Sequence, residues 1–186
     1  MGFITKLFGG KTETVDAVAN DIVETAMTCG QVFVSNMAKD DNGKETSNSA
    51  SNALAANEFF YFFIHFVSRL AYALGDDART KKVVDGIFYH SLNKFESSVA
   101  GAARESIVSV LEEGMAEAEK EYAGCKLEAK EGEGLKGTLF WEVSKRISIA
   151  AGGGRDIANI VVATEVVTKA LSALKLEKRV KALAGT

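Results

Sequence analysis

Apolar residues recur along this chain at steps of three and four, the spacing that aligns one face of an α-helix. From about Glu13 to Met37 the line is Val15, Val18, Ile22, Ala26, Cys29, Phe33 and Met37. Thr12 or Thr14 stands where a side-chain oxygen can cap that helix. Residues 39–52, KDDNGKETSNSASN, are small and polar and read as a loop. A second helix then carries two apolar lines side by side. One is Phe59, Phe63, Phe66, Leu70 and Leu74; the other is Phe60, Ile64, Val67 and Ala71. Glu58, Tyr61, His65, Arg69 and Tyr72 fall on the remaining face, and Gly75 sits where a left-handed C-terminal cap belongs.

The same periodicity predicts helices over about 77–95 and 98–122. The glycine-bearing, charged stretch CKLEAKEGEGLKG reads as a loop, and Thr138 opens the next helix, which GGG at 152–154 breaks. A last helix starts near Asp156 and runs to Leu174, with its pattern continuing to Leu183. No convincing alternating segment and no internal repeat of 20–50 residues is visible. Short connections such as LGDD favour antiparallel neighbours. The expected fold is all-α, a single-domain bundle of five or six mostly antiparallel helices over residues 11–186. Residues 1–10, MGFITKLFGG, form a separate amphipathic segment, because Gly9 and Gly10 decouple it from the bundle.

The order F-x-H-x-x-S-R-x-A-Y-x-x-G, from Phe63 to Gly75, resembles a helix of some uncharacterised bacterial all-helical proteins. Those often carry Asp where this chain has Ser68. The resemblance covers residues 59–79 and implies no activity.

Seven aromatic rings lie between Phe59 and Leu74, which raises three readings of that helix. A membrane span needs about 20 apolar residues. Here His65 and Arg69 interrupt sixteen, at a cost that a bilayer centre makes high. A bundle core is the expectation. The alternative is an interhelical pocket for a small apolar or aromatic ligand, with Phe59, Phe63 and Phe66 as walls and Tyr61, His65, Arg69 and Tyr72 at the mouth.

Composition adds little to fold but narrows chemistry. Apolar residues make up 47% and charged residues 25%, the balance of a soluble globule, and the net charge of −3 gives no polyanion binder. Proline is absent, which suits long helices. Cys29 and Cys125 form no metal or disulfide pattern, so the expected compartment is the reducing cytoplasm. Cys29 lies on the apolar line of the first helix and reads as core, while Cys125 follows a helix end.

No candidate motif assembles a catalytic centre. GEGLKG at 132–137 matches G-x-G-x-x-G, yet it follows KLEAKE rather than an apolar strand. AAGGGRD at 150–156 can present amides and Arg155 to an anion, but reads as a turn with Asp156 as N-cap. His65 and His90 have no ligand spacing, although a carboxylate such as Glu58 or Asp85 could join them. Glu113, Glu117 and Glu121 share one helical line and read as a solvated acidic face. From Glu105 to Glu133 there are nine Glu against three Lys, which fits a basic partner surface better than catalysis. Conversely, Lys169 to Lys181 holds five cations and one Glu beside Leu171, Leu174 and Val180. Such apolar-basic ends suit packing on protein or, less favoured, a membrane surface. The basic face is too narrow, and too poor in exposed aromatics, for nucleic acid.

The sequence therefore points to a non-enzymatic helical interaction protein, acting by self-association or through a protein partner, with a homodimer expected. No catalytic residue, metal or cofactor is assigned.

Overall fold

The computed structural model describes residues 13–37, 49–75, 77–99, 104–127 and 135–185. The amphipathic segment expected over residues 1–10 lies outside them, as does most of the two expected loops. The described residues form an all-α bundle: α1 (Val15–Asn36), α2 (Ser49–Ala73), α3 (Ala78–Val99), α4 (Arg104–Ala123), α5 (Leu139–Ala150), α6 (Ile157–Leu174) and α7 (Leu176–Ala184). The last two are the single predicted C-terminal helix, broken at Lys175.

Local capping sets several of these boundaries. Thr14 accepts from the Ala17 N–H, Thr138 from Trp141 N–H, and Asp156 from Ala158 N–H, so each helix start has a partner for an otherwise orphaned donor. Gly75 closes α2 with φ of 111°, a backbone that a Cβ would resist. The loop between α4 and α5 is pinched at its base, where the Leu139 N–H donates to the Lys126 carbonyl at 2.7 Å.

α2 takes in the last four residues of the stretch that its small polar side chains mark as loop, beginning at Ser49. The reason is packing against α1. A Cβ on Gly30 would stand 2.7 Å from the Asn52 carbonyl oxygen and 2.8 Å from the Ala56 nitrogen. The two backbones approach that closely only because residue 30 is glycine and the facing turn carries small residues.

α2 is the central helix and contacts α1, α3, α4, α5 and α7. Phe59, Phe60, Phe62 and Phe63 are fully buried. Phe60 stacks on Phe95 of α3 with ring centroids 4.1 Å apart, and Phe62 meets Phe140 of α5 at 6.0 Å. Burial of each ring stabilises the fold by about 1.5–3 kcal/mol. α5 runs antiparallel to α2, since Glu58 pairs with Arg146 and Phe62 with Phe140. α4 runs parallel to it: Tyr61 packs on Gly114, His65 meets Glu119, and Arg69 reaches the end of α4. α5 and α6 form an antiparallel hairpin, with Thr164 Oγ1 donating to Ser144 Oγ at 2.9 Å.

Candidate functional site

The seven residues proposed as pocket walls and mouth do not converge on one hollow. Phe59 and Phe63 are wholly inside the core. Phe66, further along the same line, is half-buried and borders a hollow lined by α6 and α7 residues. Tyr61 lies flat against the backbone of α4 at Gly114. Tyr72 is 75% exposed, one of the most open large side chains on the surface.

Arg69 has a structural task. Its Nη2 donates to the carbonyls of Tyr122, Ala123 and Cys125 at 3.2, 3.3 and 3.0 Å. Tyr122 and Ala123 close α4 and Cys125 follows it; the Tyr122 carbonyl also accepts from the Cys125 N–H at 3.0 Å, and a guanidinium complements the negative end of the helix dipole. His65, one of the residues expected at the pocket mouth, is buried under α4. Its Nδ1–H donates to Glu119 Oε2 at 2.5 Å, a carboxylate being able only to accept. His90 does lie open, and it meets Asp16 of α1 at 2.7 Å.

The polar line of α2 is thus a seam that receives α4 and α5. At its N-terminal end Glu58 accepts from Arg146 Nε–H at 2.7 Å and Nη2–H at 3.0 Å, and Glu121 of α4 lies 3.1 Å from Arg146 Nη1. Burial raises the Glu58 carboxyl above its ordinary value, and the Arg146 guanidinium opposes that rise. Arg146 itself is held above its ordinary value by Glu58, against the burial that would lower it. Tyr122, fully buried beside it, has its phenol pushed well up, first by burial and then by the Glu58 charge. Glu121 was read as part of a solvated face; its line is exposed, but it also reaches Arg146. Arg146 is a residue that sequence reasoning missed, and its signal was a charge next to Val143 and Ile147 on an apolar stripe.

The thiols offer no nucleophile. Burial pushes the Cys29 thiol up to about 12, and Cys125 is raised by burial and by the charge of Glu142. Among the described residues no three His, Cys, Asp or Glu side chains are grouped to hold a metal ion.

A different region leaves apolar surface uncovered. On α6 the inner line Ile160, Ala163, Val167, Ala170 and Leu174 is buried, whereas Ile157 is 67% and Val161 55% exposed. Ile149 and Val32 are also open, at 45% and 41%. All four lie toward one end of the bundle, where Met37 of α1 approaches Gly153 in the α5–α6 turn. Arg155 precedes this strip and Glu165 follows it. The span from Ile157 to Ala184 is long and apolar enough to cross a membrane, by length and composition alone, and 33% of its most apolar window is buried. α2, the helix that raised the question of a span, is a core helix.

In comparisons with known proteins, no family model matches this chain, and no curated protein or solved structure matches it either.

Proposed function

We propose that this is a non-enzymatic helical protein of a reducing, cytoplasmic compartment that acts by association, and that its first partner is a second copy of itself. The observation that carries this reading is the exposure of Ile157 and Val161 on the most apolar helix of the bundle. The two apolar lines of α2 are covered by α1, α3 and α5. The first half of α6 keeps apolar side chains open at Ile157 and Val161.

A second copy suits the strip because its charges are self-complementary. In a two-fold pairing of antiparallel α6 helices about Ile157 and Val161, Arg155 of each protomer comes opposite Glu165 of the other. A two-fold interface uses the same patch on both subunits, so this arrangement closes and does not propagate. The strip is short, so the expected affinity is micromolar.

A charge swap tests the pairing. Arg155→Glu alone places two acids across the axis twice, and Glu165→Arg alone places two cations there twice. Each variant is expected to associate more weakly than wild type. Mixed in equal amounts, the two should form a heterodimer of restored affinity. Homodimerisation of either variant at wild-type strength would remove this reading.

A further inference from the structure

α6 gives way to α7 at Lys175, whose φ of 48° and ψ of 40° are left-handed. It is the one non-glycine residue with positive φ among the described residues. That backbone costs an L-residue about 1–2 kcal/mol and costs glycine nothing comparable. A chain that needed only the corner would be served by glycine, so the side chain at 175 has a use there.

Lys175 borders two adjoining hollows, a groove of about 790 Å³ and a smaller one of about 220 Å³. In the larger, Phe66, Leu171 and Leu176 supply apolar wall, and Lys175, Lys178 and Lys181 supply the rim. Glu177, also on the lining, accepts from Lys181 Nζ at 2.6 Å. Lys175 and Lys178 form no ion pair among the described residues. We propose that this groove binds a single-chain fatty carboxylate, its tail along Phe66, Leu171 and Leu176 and its head between Lys175 and Lys178.

Three features select that occupant. Among the described residues Glu177 is taken by Lys181 and Glu13, on the smaller hollow, by Arg179, so the Lys175 and Lys178 ammonium groups complement a carboxylate by charge-assisted hydrogen bonds. The hollow falls within the roughly 300–1,000 Å³ of small-molecule sites. Its apolar residues are recessed: Leu176 is 2% exposed, and Phe66 and Leu171 are half-buried. Recessed groups receive a tail; they cannot insert into a bilayer. The chain's own residues 1–12 are opposed as occupant, since they bring Lys6 and Lys11 and no acid to a lysine rim. The groove lies at the opposite end of α6 from Ile157, and neither proposal depends on the other.

The test is calorimetric titration of the full chain with decanoate below its critical micelle concentration, with decyltrimethylammonium as the cationic control. Decanoate should bind once per chain and at least about tenfold more tightly than the control. The double variant Lys175→Gly, Lys178→Gln keeps the corner's backbone preference and removes both charges. It should weaken decanoate about tenfold, from two exposed charge contacts of about threefold each, with no fall in melting temperature. Equal affinity for the two amphiphiles, or indifference to the double variant, would overturn the proposal. So would binding to anionic phosphatidylglycerol vesicles with none to decanoate, which assigns the lysines to a membrane surface. A tenfold gain in decanoate affinity on deleting residues 2–9 would also overturn it, by making that segment the native occupant.

Discussion

Arg146 grips Glu58 with two parallel hydrogen bonds, 2.7 and 3.0 Å long, and so joins α5 to α2 across the polar seam of the core. Both side chains are nearly buried, at 13% and 12% exposure. Removing one partner strands the other charge in a poor solvent for it. Arg146→Met should therefore cost about 3–5 kcal/mol in urea unfolding, while the double variant Glu58→Leu, Arg146→Met should recover most of that loss. A single variant as stable as wild type would show the pair to be ornamental.

The same carboxyl makes a prediction about pH. Burial raises Glu58 above its ordinary value of 4.5, so the folded chain holds this proton more tightly than the unfolded chain does. Its contribution is then full below 4.5 and is lost as pH rises through the raised value. Glu58→Gln cannot titrate, so its stability should fall less steeply than that of wild type on raising the pH through this window. Unfolding midpoints taken at half-unit steps read the difference; parallel curves for the two proteins would contradict it.

Close approach through glycine gives a graded pair of substitutions. A Cβ at Gly114 would stand 2.5 Å from the Tyr61 hydroxyl, the far end of a side chain that can shift. At Gly30 the obstacles are backbone atoms at 2.7 and 2.8 Å. Alanine favours a helix over glycine by about 1 kcal/mol, yet overpacking costs about 1–3 kcal/mol. Gly30→Ala should destabilise clearly and Gly114→Ala only slightly, as thermal melts would record. The reverse order would mean that α1 and α2 are not packed as described.

Arg69 should behave as a helix cap and not as a ligand group. Arg69→Met keeps the apolar stem and removes the donors to the last two carbonyls of α4 and to that of Cys125 just beyond it. The expected loss is about 1–3 kcal/mol, with amide exchange speeding first in the last turn of α4. Exchange unchanged in that turn would refute the capping role.

Much of the architecture was legible in the sequence, and the misses have identifiable causes. Thr14, Thr138 and Asp156 announce their helices because an N-cap is local chemistry. The apolar lines of α1 and α2 found their partners as periodicity requires. The start of α2 was hidden, because Ser49, Asn52 and their neighbours look like loop and owe their helical state to Gly30 on another helix. The polar line of α2 was visible as a line, but its meaning depends on α4 and α5, more than fifty residues away. Lys175 carries no turn signal at all, so the break between α6 and α7 could not be read. Nor could the open strip on α6, since a run such as IANIVVA is apolar on every side and does not say which side is covered.

The association reading rests on Ile157 and Val161, and sedimentation velocity of wild type beside Val161→Asp tests it most directly. Val161 is more than half exposed, so the aspartate should leave the bundle folded. Wild type is expected to shift from monomer toward a dimer of the 19.9 kDa chain as concentration rises through the micromolar range, and the variant to stay monomeric with unchanged helix content. A wild-type protein that sediments as a monomer at high micromolar concentration, or a variant that dimerises equally well, would contradict it.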